Sequence, residues 1–588
     1  MRISRFILKS LWFFRKQHLA VFAGTIISTA VLTGALIVGD SIKYSLKQIV
    51  DARLGNVKFA MQTGDRFVRA ELSYDISNDL NIATSPLLSL QGIIIYTESN
   101  LRINKAQIYG IDQSFWKLSN KSMPELNDDE IIISENIAQK IKLKVGDEIL
   151  LRVENANVIP LNAPFAKEGE PSISFRATVR AIANDESLGR FGLKNIQSAP
   201  FNIFISRDYL AKKLELKGLA NIIIASDDNN PNLKVENLNK TLHKVWRLDD
   251  ANIVIREHKD LNKYEILSDR IFIDEPISKA ILNFNVKNET ILTYLVNSIR
   301  YGKKETPYSF VAALPDPDLV KNEIIVNEWL ASDLNLSLND TIELDYYIIG
   351  PLRTLVENTN KFVVKNIIPT QGKISNKSLM PLFPGLANAG SCSEWETGIP
   401  IDLSKIRDKD EKYWDDYKGT PKAFISIETG LNLWKNKYGK YTSIRIDKNE
   451  TSIDNLKKEL RSQLNPQDLN LTFMPVHTQG IRAASSGVDF GELFLSMSFF
   501  VIFAGVILTI LIHSLNIESR TEETGILSGL GFSKKQITKI RFSENTISII
   551  LGGIAGTFIG ILYNFGIMYA LNSVFCLSLI KASMSTSK

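Results

Sequence analysis

Two uncharged apolar runs, Leu493–Ile512 and Ile547–Leu571, lie close together near the end of this 588-residue chain, with a charged segment between them. Each is about the 20 residues that an α-helix needs to cross the hydrocarbon of a bilayer. A third run, Leu19–Val38, stands near the start. In lipid the backbone must satisfy its own hydrogen bonds, so each run is expected to be a spanning helix. Two other readings of Leu19–Val38 are weaker. A cleaved signal peptide has a shorter apolar core and a small-x-small site after it, and none is clear beyond Val38. A buried helix of a soluble protein rarely goes so far without a charge.

The runs divide the chain into an amphipathic helix at 1–18, a first span at 19–40, an extramembrane region at 41–489, a second span at 490–513, a connecting segment at 514–545, a third span at 546–571 and a tail at 572–588. In the first piece Arg2, Arg5, Lys9, Arg15 and Lys16 alternate with Ile3, Phe6, Ile7, Leu8, Leu11, Trp12 and Phe13, the pattern of a helix lying on a membrane surface. The connecting segment carries Arg520, Lys534, Lys535, Lys539 and Arg541. By the positive-inside rule both flanks are cytoplasmic, which with three spans puts the long middle and the tail outside. After the first span, Ile42, Leu46, Ile49, Val50 and Leu54 keep helical spacing up to Gly55, so the span is expected to continue as a stalk. Gly24, Ser28, Gly34 and Ala35 in the first span, and Gly552, Gly556 and Gly560 in the third, are small residues that let helices approach closely in lipid. Asn564, polar inside the third span, is expected to face protein or water.

The middle reads as α+β. Short β-like segments stand at Gly92–Tyr96, Ala106–Ile111, Phe201–Ser206, Asn221–Ser226, Asn252–Glu257 and Ala423–Glu428, separated by Gly, Pro, Asn and Asp. It also holds an internal repeat. Asp129–Leu151 aligns without a gap on Asn322–Leu344, with identity at Glu130/Glu323, Ile131/Ile324, Ile132/Ile325, Glu135/Glu328, Ala138/Ala331, Leu143/Leu336, Asp147/Asp340, Ile149/Ile342 and Leu151/Leu344. Each copy predicts strand, short helix, turn, strand. Two copies are too few for a solenoid, so two related subdomains clasped together are expected. Val158–Pro171 and Pro369–Gly398 read as surface loops. Trp395, Trp414 and Trp434 read as packing residues, and Lys409–Lys418 as a solvated helix face.

No chemistry assembles in the sequence. His243, His258 and His477 are isolated, and HExxH, GxSxG, CxxC and GxxxxGK[ST] are all missing. Asp227–Asp228 and Asp249–Asp250 sit in turn-rich text and read as turn or cap residues. The two cysteines, Cys392 and Cys576, give neither a disulfide framework nor a metal site. The net charge of +5 is spread thinly, which argues against nucleic acid. No catalytic, cofactor or metal residue is expected.

The run Arg520, Glu523, Gly525, Leu527, Gly529, Gly531, Lys535 and Ile537, followed by Glu544 and the Gly552–Gly560 glycines, resembles the coupling segment of the MacB/FtsX/LolC-E type of ABC transporter permease. The basic N-terminal helix, the single span and the VGDS…RLG text after it resemble that family too, as does the repeated E-I-I-x-x-E text of the middle. The resemblance implies an α+β membrane protein: a spanning helix, a large duplicated periplasmic domain, then two further spans joined by a cytoplasmic coupling segment. It implies a mechanism in which a separate ATPase subunit pushes on that segment and the movement passes to the periplasmic domain. Arg520, Glu522, Glu523, Gly525, Leu527, Gly529, Gly531, Phe532, Lys534 and Lys535 are the expected contact with the ATPase, and Gly552, Gly556 and Gly560 the packing face of the third span. The implied substrate is lipophilic, a lipoprotein or a peptide. The implied partners are the ATPase, a second permease copy or paralogue, the lipid bilayer and a periplasmic partner, at the inner membrane. Such relatives have a fourth span, so a chain ending after Val574–Ile580 reads as truncated. Some relatives signal to a cell-wall hydrolase instead of transporting. An anchored ectoenzyme is the weakest alternative, since no catalytic set is present.

Overall fold

The computed structural model describes residues 3–99, 101–156, 158, 164, 172–194, 198–316, 318–350, 354–381, 383, 385–386, 389–395, 400–486, 499–500, 503–504, 506–507, 510–511, 514–515 and 518–585. The chain forms two compact units: Met1–Asp51 with Thr478–Lys588, and Ala52–His477.

The first unit is helical. A helix over Ile3–Phe13 leads into one of 40 residues, Arg15–Leu54. The surface helix is therefore shorter than the 1–18 expected. The chain turns at Phe14 while keeping its ladder, Phe14 donating to the Ser10 carbonyl and accepting from Gln17 and His18. The long helix runs unbroken from span to stalk and stops at Gly55, whose φ of +53° is left-handed. Among the described residues two helices are long and apolar enough to cross a membrane, Arg15–Gly34 and Lys534–Gly566. The expected second span, Leu493–Ile512, lies largely outside the described residues. The final helix covers Lys534–Ser585 without interruption. It therefore runs continuously through positions 546 and 572, the limits expected for the third span; the stretch contains no proline, and Gly552, Gly556 and Gly560 lie against a neighbouring helix.

The second unit holds two nine-stranded sheets of the same order. In the first, neighbours run Phe473–Met474, Phe59–Gln62, Ile222–Ala225, Thr84–Tyr96, Leu101–Ile111, Asn202–Ser206, Glu130–Ser134, Ser172–Ala183, Glu148–Glu154. In the second they run Ile253–His258, Lys263–Ser268, Ser443–Asp447, Asn288–Tyr301, Lys304–Leu314, Ala423–Ser426, Glu323–Asn327, Leu355–Ile368, Thr341–Ile349. In each, the last six strands close on themselves: Ile94 pairs with Leu151, and Ile299 with Leu344. All six segments read as β-like from the sequence are strands, although Ala423–Glu428 turns into a helix at Ile427.

The two sheets also trade an edge. Ile253–His258, the final strand of the first half, pairs in the second sheet; Phe473–Met474, the final strand of the second half, pairs in the first. Each is reached in the same way, by a helix (Val235–Val245 or Ile453–Gln463), a 3₁₀ turn and a left-handed asparagine, Asn252 or Asn470. Beneath the exchanged strands lies a shared core, in which Leu72, Ile76, Leu238 and Trp246 of the first half join Ile266, Ile277, Ile444 and Leu460 of the second. Each closed set of six strands keeps its own core.

The repeated sequence is explained by its turns. Asp129 and Asn322, Lys142 and Asn335, and Gly146 and Asn339 all have positive φ. The identical Asp147 and Asp340 accept from the backbone N–H of Lys144 at 2.8 Å and of Ser337 at 2.7 Å. The identical Glu130 and Glu323 accept from the N–H of Asn127 and Val320. These carboxylates close turns, which is why they survive in both copies.

Two surface readings need correction. Pro369–Gly398 supplies buried Leu379, Phe383, Leu386 and Cys392, so its described part covers a core. Lys409–Lys418 buries Tyr413 and Trp414, because a helix laid on a sheet must bury one stripe whatever the charge of the rest. Trp414 and Trp434 are core residues, and Trp395 packs edge-on to Trp414 at 4.9 Å. Asp250 closes the turn before an exchanged strand, accepting from Arg247 N–H and, with both oxygens, from Arg69.

Candidate functional site

The connecting segment is a helical hairpin. A short helix, Thr521–Gly529, ends where Gly531 takes a φ of +88° and Phe532 donates back to the Leu527 carbonyl at 3.1 Å. Ser533 then starts the final helix with a capping box: Gln536 N–H reaches the Ser533 hydroxyl, and Ser533 N–H reaches the Gln536 side chain at 2.9 Å. Leu527, Ile537 and Ile540 are buried.

Arg520, just before the short helix, is 2% exposed. It donates from Nη1 to Glu544 Oε2 at 2.6 Å, from Nε to Glu523 Oε2 at 2.8 Å and from Nη2 to Ser10 Oγ at 2.7 Å. Its guanidinium lies 3.7 Å from the centre of the Phe14 ring. Arg541 completes the set, donating to Glu523 at 2.8 Å and standing 3.7 Å from Glu544. Two guanidiniums meet two carboxylates, so the buried group is neutral as a whole. Burial alone would raise the Glu523 carboxyl; the hydrogen bonds from Arg520 and Arg541 outweigh it and hold it below the usual range.

The ten residues expected to share one contact surface are divided by the structure. Glu522, Gly525, Gly529, Gly531, Lys534 and Lys535 are exposed, and Glu523 and Phe532 half-buried. Arg520 and Leu527 are buried, so neither stands on an outer face. The sequence reading missed Ile526 and Leu530, which are 64% and 71% exposed. With Glu522 they form an i, i+4, i+8 stripe, beside which a Cβ on Gly525 or Gly529 would meet nothing within 4 Å. The spacing was there to read, but Ile526 and Leu527 are adjacent apolar residues and only the position of the final helix decides which turns inward.

The glycines of the final helix lie against the long first helix. A Cβ on Gly552 would come 3.0 Å from the Phe22 carbonyl, on Gly556 2.8 Å from that of Ile26, and on Gly560 2.9 Å from that of Ala30. Every fourth residue must lack a side chain for the two backbones to approach so closely.

Residues 495–587 match the FtsX-like permease C-terminal domain. Two solved structures are similar to the chain. One is the periplasmic region of MacB from Actinobacillus actinomycetemcomitans, with 13% identity, a TM-score of 0.24 and coverage of 41% of this chain and 99% of that one. The other is the extracellular domain of the noncanonic ABC-type transporter YknZ from Gram-positive bacteria, with 9% identity, a TM-score of 0.23 and coverage of 33% and 95%. No curated protein matches by sequence.

Proposed function

We propose that this chain, which carries the FtsX-like permease C-terminal domain, is the inner-membrane permease subunit of an ABC-type transporter. A separate cytoplasmic ATPase supplies the energy, and the permease turns it into movement of the extramembrane unit. That movement drives export or extraction of a lipophilic, lipoprotein or peptide substrate. The observation that carries this reading is the outward stripe of the short helix, where apolar Ile526 and Leu530 stand exposed between Glu522 and two open glycines. A pair of solvated aliphatic side chains flanked by bare backbone suits the groove of a partner, with the glycines allowing close approach. In the extramembrane unit an open cavity of about 600 Å³, lined by Ile348, Leu433 and Tyr438 together with Lys435, Asn436 and Lys437, offers a substrate a mixed apolar and basic surface.

The test uses the full chain, solubilised from its native membrane and purified with whatever it holds. A P-loop ATPase should copurify, and ATP should change hydrogen exchange in Ala52–His477. Recovery of a cell-wall hydrolase, with no substrate leaving the membrane, would favour a signalling subunit instead. Absence of any ATPase overturns both.

A further inference from the structure

Arg520 joins three helical segments, one of them from the opposite end of the chain. Its three nitrogens reach Ser10 on the surface helix, Glu523 on the short coupling helix and Glu544 on the final helix, and its flat face covers Phe14 at the bend between the first two helices. A second tie runs beside it, from Gln17 Nε2 to Ser519 Oγ at 3.0 Å. Arg520 and Glu544 side chains are each 1% exposed. One oxygen of Glu544 and the Nε2 of nearby His18 have no protein partner. The surface helix also packs on the final helix, with Phe6, Ile7 and Leu11 half-buried, but Trp12 and Phe13 at its end are 76% and 80% exposed.

We propose that Arg520 is a positioning residue that locks the N-terminal surface helix to the coupling helix, so that the two move as one body. A lysine would not serve. The guanidinium reaches three partners in one plane and stacks on the ring, whereas an ammonium is a single point with no flat face. Read with the proposed function, the lock would make the surface helix part of the lever that the ATPase pushes; the lock itself does not depend on the ATPase.

The test is therefore made without one. The full chain, with Cys392→Ser and Cys576→Ser, is placed in phospholipid nanodiscs with spin labels at Trp12→Cys and Gly529→Cys, and the distance distribution between them is measured. A control pair, Gly529→Cys with Ile554→Cys on the exposed side of the final helix, reports whether the hairpin stays intact. With Arg520 present the first pair should give one narrow peak. In Arg520→Lys and Arg520→Gln that peak should be lost while the control peak stays. Ser10→Ala, which removes one hydrogen bond and leaves the charges balanced, should broaden the first peak alone, and it keeps the test open if the arginine variants do not fold. If the first peak survives in all three variants, or if both pairs broaden together, Arg520 only stabilises the bundle and the proposal is wrong. Either result leaves the ATPase reading to its own copurification test.

Discussion

Both units bury arginines, but they use them differently. In Ala52–His477 the buried guanidiniums lie on a seam and are reciprocal: Arg66 of the first half donates to Asp274 of the second at 2.8 Å, and Arg270 of the second donates to Asp65 of the first at 3.1 Å. The two arginines hold corresponding places, each leading into the helix after its strand. Exchanged edge strands and a shared core hold the same seam. In the helical unit one residue, Arg520, joins three segments, and Trp12 and Phe13 at the end of the helix it tethers are exposed. The strand-bearing unit is held at its seam by several independent devices, whereas in the helical unit the polar ties between the start of the chain and the hairpin centre on Arg520, with the Gln17–Ser519 bond beside it.

The largest effect is expected at the seam. Arg66→Ala removes a buried guanidinium and leaves the half-buried Asp274 with one fewer partner, a loss whose upper bound is the roughly 3–5 kcal/mol of breaking a fully buried pair. Hydrogen exchange of the full chain should show loss of protection on both exchanged strands. Loss confined to the first half would mean that the halves are not held reciprocally. Next come the closed six-stranded sets. Leu151→Ala and Leu344→Ala sit at the same place in the two copies, both fully buried, and each should cost about 2–5 kcal/mol. Each should loosen its own core more than the other.

A third prediction separates the copies by pH. Lys422, in the second half alone, is buried between the rings of Trp329 and Tyr413 at 4.2 and 4.7 Å, with Asp410 at 3.6 Å. Burial pushes its ammonium down to about 8, against the attraction of Asp410. An unfolded lysine titrates near 10.4, so between these values the unfolded chain binds more protons than the folded one. The cost of charging Lys422 is full below the folded value and fades as pH rises, so stability from this group should climb by up to about 3 kcal/mol from pH 8 to pH 10.5. Lys422→Met should abolish that climb, seen as the difference between the two unfolding profiles. The smallest effect is at the turns: Lys142→Gly should stabilise by about 1 kcal/mol, because lysine is strained at positive φ. Asn335→Gly should do much less, since asparagine tolerates that conformation.

Much of this arrangement was legible because it is periodic or local. The repeat was visible because Glu130/Glu323 and Asp147/Asp340 are turn-closing carboxylates whose spacing cannot drift. The strands were visible as isoleucine-rich runs between turn residues. The exchange of Ile253–His258 and Phe473–Met474 was not legible, since a strand's sequence does not say whose edge it joins. The described part of Pro369–Gly398 looked like a loop because its buried residues have no period, being fitted to a surface already made by strands. The coupling segment was half legible. Its place between two apolar runs marked it, but charge suggested an outer face for Arg520, and only the fold brings Glu544 within reach to neutralise it and Ser10 to accept its remaining hydrogen bond.

The most direct measurement separates the outer stripe from the inner knot. The full chain is purified from solubilised membranes as wild type, as Ile526→Asp/Leu530→Asp and as Ser10→Ala, and each is probed for a copurifying P-loop ATPase. The ATPase should be recovered with wild type and with Ser10→Ala, and lost with the double variant while its thermal unfolding stays unchanged. Retention of the ATPase by the double variant, or its absence from wild type, would contradict the claim that this stripe is where the permease meets its source of energy.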